Sequence, residues 1–119
     1  MTNMKYEYYE CGKGWTPLIK EAEELVNKYN KDNPNQENPI RFTQIKEKFG
    51  YLNLYLNIYP RGLHKKLLDI SKRSMNICEH CGKSGKREYI HDWVYTLCPE
   101  CKEKEINRYN KLFKDENNR

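Results

Sequence analysis

Long apolar runs are missing from this chain of 119 residues, and apolar residues are scarce overall. They make up 37% of the sequence, and the mean hydropathy is −1.10. No stretch approaches the roughly 20 apolar residues of a membrane-spanning helix. The sequence has no signal-peptide pattern and no lipidation signal, which predicts a cytoplasmic protein with reduced thiols. A core built from so few apolar residues also favours a structural metal as a source of stability.

A strong charge of one sign is missing too. The formal net charge is +5, and it falls entirely in residues 60–119, because residues 1–59 contain eight basic and eight acidic side chains. A bias of this size is too mild to indicate nucleic-acid binding on its own. The charge therefore leaves the class of partner open.

Cysteine, in contrast, is present in a regular pattern. Cys78 and Cys81 form one C-x-x-C pair, Cys98 and Cys101 form a second, and sixteen residues separate the two. Two such pairs at this distance predict a zinc ion bound by four thiolates. A disulfide framework is disfavoured by the expected reducing compartment, and a thioredoxin-like redox motif would leave one pair without a role. The fifth cysteine, Cys11, has no histidine near it in sequence and is interpreted as a small apolar residue.

The periodicity of apolar residues predicts an α+β lobe for residues 1–75. Helical stripes occupy residues 17–31 and 60–75. Between them, residues 40–48 and 51–59 are expected to form a two-stranded antiparallel ribbon, because apolar and polar side chains alternate there. We expect the first and second helices to pack on this ribbon.

Residues 76–113 are predicted to form a treble-clef zinc lobe. The first cysteine pair lies in a knuckle, and residues 87–90 and 93–97 follow as a short hairpin. A third helix over residues 99–113 then carries the second pair, with a proline suited to its first turn. The remaining residues, 114–119, are expected to be a frayed tail.

Three tyrosines lie four residues apart along the second predicted strand, so all three are expected on the same face. They are interpreted either as an aromatic ladder that stiffens the ribbon or as a recognition surface, since tyrosine is common in interface hot spots and stacks on bases. A basic loop after the first cysteine pair is a second candidate for contact with a partner. The candidate partner-binding residues are Tyr51, Tyr55, Tyr59, Lys83, Lys86 and Arg87.

Four short stretches, at residues 12–15, 46–52, 77–82 and 96–98, carry a resemblance to a known group. They read Gly-Lys-Gly-Trp, Lys-Glu-Lys-Phe-Gly-Tyr-Leu, Ile-Cys-Glu-His-Cys-Gly and Thr-Leu-Cys. In these stretches the chain resembles small, uncharacterised zinc-binding proteins, of treble-clef or zinc-ribbon type, of bacteriophages and prophages. The resemblance implies an accessory protein in the cytoplasm of a bacterial host, and it implies no catalytic activity.

No catalytic constellation is recognisable in the sequence, so we expect that the protein is not an enzyme. Four thiolates fill a zinc tetrahedron and leave no position for a reactive water. A degenerate HNH-type nuclease is the remote alternative, suggested by His80, His91 and Asp92. The sixteen residues between the pairs are too few for the hairpin and helix of such a site, and no histidine follows Cys101. Either histidine could replace a thiol as zinc ligand, but four well-spaced thiols make this substitution unnecessary.

The expected function is therefore binding. The sequence favours a host or defence protein that this chain inhibits or sequesters. A regulatory nucleic-acid-binding zinc module is the alternative, because basic residues surround the predicted zinc lobe. Glutamates are interleaved with these basic residues, at positions 79, 88, 100, 103 and 105, which is also typical of a solvated surface of mixed charge.

Overall fold

The computed structural model describes residues 9–10 and 12–117. Within this part, the chain forms five strands, three α-helices and one short 3₁₀ helix, which confirms the predicted mixture of helices and strands. None of the described helices combines the length and apolar character needed to cross a membrane. In chain order the elements are β1 (Tyr9–Glu10), the 3₁₀ helix (Lys13–Trp15), α1 (Thr16–Asp32), β2 (Phe42–Lys48), β3 (Tyr51–Leu56), α2 (Arg61–Ser74), β4 (Lys86–Ile90), β5 (Trp93–Leu97) and α3 (Pro99–Asn117).

Strands β1, β2 and β3 form one sheet in that order. β2 and β3 are antiparallel, as predicted, and Lys48 lies opposite Tyr51 on either side of the turn. The two turn residues, Phe49 and Gly50, have φ values of 54° and 79°, a combination that matches the twist of a two-residue hairpin. β1 pairs in parallel with β2 and was not predicted, because two residues are too short to show an alternation.

One core joins α1, α2 and the aliphatic face of the sheet. Apolar residues spaced three and four apart bring a single stripe of each helix inward. Trp15, at the end of the 3₁₀ helix, is fully buried in this core. The other buried residues are Leu18, Ile19, Ala22 and Val26 from α1, Leu63, Leu67, Ile70 and Ser74 from α2, and Ile40, Phe42, Ile45, Leu52 and Leu56 from or beside the sheet.

The ends of several elements differ from their predicted positions. α1 begins at Thr16, so this threonine lies inside the helix and Trp15 takes the capping position. β3 ends at Leu56 rather than at residue 59, because the chain folds back there and the hydroxyl of Tyr59 accepts the N–H of Leu56 at 3.0 Å. α3 continues to Asn117, four residues beyond its predicted end, so residues 114–117 are helical.

β4 and β5 form a second antiparallel hairpin, in which Ile90 lies opposite Trp93. Its turn residues, His91 and Asp92, have φ values of 49° and 68°, again as a two-residue hairpin requires. Ile90 and Leu97 are buried beside the cysteines in a second, small core. Trp93, the first residue after the turn of this hairpin, is 57% exposed.

Candidate metal centre

The sulfur atoms of Cys78, Cys81, Cys98 and Cys101 lie within 4.8 Å of one another. All four cysteines are free, and the sulfurs of Cys81 and Cys98 are 3.6 Å apart. A tetrahedral zinc ion with bonds of about 2.3 Å has sulfur–sulfur edges of about 3.8 Å. A disulfide would require about 2.05 Å between two sulfurs. The cluster therefore has the dimensions of a four-thiolate metal site.

Two different local structures present the two pairs. The N–H of Gly82 donates to the carbonyl of Cys78 at 2.9 Å, and a φ of 83° at Gly82 turns the chain tightly beneath the first pair. Cys98 lies one residue before α3, and Cys101 lies in the first turn of that helix. Pro99 starts the helix without loss of a hydrogen bond, since the first N–H groups of a helix have no partner within it.

The thiols differ in their readiness to ionise. The N–H of Cys101 donates to the sulfur of Cys98 at 3.4 Å and lowers the pKa of Cys98 to about 7. Burial raises the pKa of Cys101 to about 12. Four thiolates at this separation also repel one another, so all four can be ionised together only around a cation. Soft sulfur ligands in a tetrahedron are suited to zinc.

Glu79 links the first pair to β5 by two hydrogen bonds and to Gly14 by a third. Its side chain is buried, and one carboxylate oxygen accepts the N–H of Thr96 at 3.1 Å. Its own N–H donates to the carbonyl of Thr96 at 2.9 Å, and its carbonyl accepts the N–H of Gly14 at 2.9 Å. Burial raises the pKa of Glu79 to about 7, although the Thr96 N–H favours the charged form. Sequence reasoning had assigned this glutamate to a solvated surface, and its burial is a correction.

The segment Gly12–Trp15 packs directly on the knuckle. A methyl group at Gly12 would overlap the carbonyl of Glu79, and one at Gly14 would overlap the carbonyl of Cys78. The indole N–H of Trp15 donates to the carbonyl of Ile77 at 2.8 Å. The two glycines are therefore required for close approach of two backbones. The Gly-Lys-Gly-Trp stretch was noticed in the sequence, but nothing in it indicated which segment it would contact.

The turn between β2 and β3 packs on the second hairpin, formed by β4 and β5. Arg87 donates to the carbonyl of Phe49 at 2.8 Å from one nitrogen and at 3.2 Å from another. The hydroxyl of Thr96 donates to the carbonyl of Gly50, and a methyl group at Gly50 would lie 2.9 Å from a methyl carbon of Val94. The cysteine cluster is thus attached to the main core by two separate contacts, one from Gly12–Trp15 and one from this turn.

Neither His80, within the first pair, nor His91, between the two pairs, belongs to the four-cysteine group found among the described residues. His91 stacks on Tyr109 of α3, with ring centroids 3.5 Å apart and planes 10° from parallel. His80 is exposed. The fifth cysteine, Cys11, lies outside the described residues.

The candidate partner-binding residues are only partly brought together. Tyr51 and Tyr55 lie on the same side of β3, and their partners in β2 are Lys48 and Gln44, so no aromatic ladder forms across these strands. Tyr59 lies beyond the strand, with its ring 4.7 Å from that of His64. The guanidinium of Arg87 is 5.9 Å from the ring centre of Tyr51, which joins the tyrosine surface to the basic one. The other two basic candidates, Lys83 and Lys86, are exposed.

Comparison of the chain with protein-family models, with curated protein sequences and with solved structures found no match. The resemblance to phage and prophage proteins therefore stays an expectation. The function has to be inferred from the geometry of the chain itself.

Proposed function

We propose that this chain is a non-enzymatic binding protein that one structural zinc ion holds together. The observation that carries the proposal is the position of the four-cysteine cluster. Backbone atoms of the knuckle contact Gly14 and Trp15, and the hairpin contacts the turn at Gly50. A metal at this place would fasten the second hairpin and α3 to the main core.

Four thiols support a structural role for the metal. Structural zinc sites use four protein ligands, whereas catalytic sites keep one position open for water or substrate. The order of a knuckle, the β4–β5 hairpin and α3, with the second cysteine pair at the start of the helix, supports a treble-clef arrangement. Zinc binding to small fingers is worth about 10–16 kcal/mol, which is enough to stabilise a lobe with few apolar residues.

The exposed surface supports a binding role. Aromatic and basic side chains share the face formed by Tyr51 and Arg87, and Phe49 is exposed beside them. Aromatic residues and arginine are enriched in recognition surfaces. Together with the phage-type resemblance, this favours an accessory protein that acts on a macromolecule in a bacterial cytoplasm. A host or defence protein that the chain inhibits or sequesters remains the prediction from sequence.

The metal is tested by elemental analysis and by cobalt substitution of the purified protein. We expect one zinc ion per chain and, with cobalt, the sulfur-to-metal charge-transfer bands of a tetrahedral four-thiolate site. Cys98→Ser should lose the metal and unfold residues 76–113 first. A folded protein without metal, or a spectrum that shows a bound water, would contradict the proposal.

A further inference from the structure

One face of the first sheet is partly exposed to solvent. Strand alternation directs Ile45 and Leu52 into the core, so their neighbours point the opposite way. We define the outer face as the six residues that point away from the core, none of which is buried. They are Gln44, Lys46 and Lys48 on β2, and Tyr51, Asn53 and Tyr55 on β3.

The outer face is basic and aromatic. It has two lysines and no carboxylate among its six residues. Acidic residues lie at its margin: Glu10 of β1 is in register with Lys46, and the carboxylate of Glu47 accepts the N–H of Gly50 in the adjoining turn at 2.7 Å. The antiparallel pair of Lys48 and Tyr51 leads directly to the turn that contacts the second hairpin.

The turn and β4 extend the outer face. Arg87 reaches from β4 to the Phe49 carbonyl and lies near the Tyr51 ring. Tyr89 is two residues further along β4, so it points to the same side of the hairpin as Arg87. Tyr89 is 80% exposed, and Phe49 is 59% exposed. The nitrogen of Lys48 lies 5.6 Å from the Phe49 ring centre.

Phenylalanine at position 49, the first residue of the turn between β2 and β3, is not explained by the packing of the turn. Its φ of 54° is a conformation that disfavours bulky side chains, and asparagine followed by glycine is the preferred pair for such a turn. Its ring is mostly in solvent, so burial does not compensate for the strain. Strain that packing does not repay is found most often at functional sites.

We propose that the outer face, with Phe49, Arg87 and Tyr89, binds single-stranded nucleic acid. This inference deepens the proposed binding function and depends on it. Single strands offer phosphates for the lysines and arginine and unstacked bases for the aromatic rings, whereas the bases of a duplex are already stacked. The absence of carboxylates among the six residues of the outer face complements the charge of the backbone.

The test is fluorescence anisotropy with the full-length, zinc-loaded protein. The probes are a labelled 12-nucleotide oligo(dT), the matching oligo(U) and a duplex of the same length, measured at several salt concentrations. We expect tighter binding to the single strands than to the duplex. Contacts from Lys46, Lys48 and Arg87 predict a slope of log affinity against log salt of about −2, since each neutralised phosphate contributes about −0.7 on single strands.

Variants separate the aromatic contribution from the ionic one. Tyr89→Ala should weaken binding about fivefold or more, with an unchanged slope, because stacking does not depend on counterions. Lys48→Gln should make the slope shallower by about 0.7. Trp93→Ala, at a tryptophan 57% exposed beside the turn of the hairpin, and Lys104→Gln, at an exposed lysine of α3, are the matched controls and should bind like the unaltered protein.

A folded, metal-loaded protein that binds neither single strand, or that binds the duplex as tightly, would overturn the inference. Equal losses from the face variants and the controls would overturn it too. If a bacterial protein is captured instead, after nuclease treatment and only with Tyr89 intact, the nucleic-acid inference fails and the binding function stands. If the oligonucleotide is bound through this face and then cleaved, the inference stands and the non-enzymatic proposal fails.

Discussion

Replacement of Gly14 by alanine is the sharpest test of how the metal centre joins the core. The added methyl group would overlap the carbonyl of Cys78 and would lie 2.7 Å from the carbonyl carbon of Glu79. Both are backbone atoms, so no side chain can rotate away to make space. The segment Gly12–Trp15 must therefore move away from the knuckle.

The expected loss of stability can be worked out from the contacts that this movement breaks. Two hydrogen bonds lie at the contact, from Gly14 N–H to Glu79 and from the Trp15 indole to Ile77. A buried polar group that loses its partner costs about 1–3 kcal/mol, and overpacking costs a similar amount. Since the two bonds share one movement, we expect Gly14→Ala to lower the free energy of unfolding by about 3–6 kcal/mol. This is a large part of the 5–15 kcal/mol typical of a folded domain.

The measurement is urea unfolding of the zinc-loaded protein, with metal release followed in parallel by a chromogenic chelator. Gly62→Ala is the matched control, because a methyl group at Gly62 in α2 meets no atom within 4 Å. Alanine should stabilise that helix by up to about 1 kcal/mol. If Gly14→Ala unfolds within about 0.5 kcal/mol of the unaltered protein, the range of ordinary surface substitutions, and keeps its metal equally well, the proposed contact is wrong.

Three further predictions concern the same contacts. Glu79→Ala should destabilise the protein by about 1–3 kcal/mol, because it leaves the N–H of Thr96 unpaired, whereas Glu79→Gln keeps an acceptor and should cost less in the same urea assay. Chelation of the metal from a Trp93→Phe variant should shift the emission of Trp15 to longer wavelength, and an unchanged spectrum would show that the main core does not sense the metal. Phe49→Asn should raise the free energy of unfolding by about 1 kcal/mol while it weakens oligonucleotide binding, and a calorimetric melting temperature at or below that of the unaltered protein would refute the assigned strain.

Local patterns were sufficient to predict much of this structure. The spacing of the cysteines predicted the four-cysteine cluster, since two C-x-x-C pairs are typical ligands of a single metal ion. The stripe of Leu63, Leu67 and Ile70 identified the buried side of α2, because helical geometry alone brings these residues together. The residues of the α2 stripe are close in sequence. The cysteines of the two pairs are further apart, but binding one metal ion requires them to come together.

The contacts between distant segments could not be predicted in this way. Nothing near Gly14 in the sequence indicates that its partner is Glu79, or that the side chain of Glu79 is buried against Thr96. The predicted end of the strand that carries the tyrosines was wrong for the same reason. Alternation predicted a strand as far as Tyr59, but the hydrogen bond from Leu56 to the Tyr59 hydroxyl ends the regular pattern at Leu56. Tertiary contacts determine both the burial of Glu79 and the end of β3, and such contacts leave no periodic pattern in the sequence.

The placement of Arg87 connects the metal to the outer face. Phe49 and Tyr51 belong to the first sheet, whereas Arg87 and Tyr89 belong to the hairpin that lies between the two cysteine pairs. The proposed binding surface therefore exists only while the two parts are held against each other. The hydrogen bonds from Gly14, Trp15, Arg87 and Thr96 that join the two parts contribute about 0.5–1.5 kcal/mol each, whereas zinc in small fingers is worth about 10–16 kcal/mol. If the proposed zinc ion holds the hairpin that carries Arg87 in place, its loss should remove the binding surface before it unfolds the main core.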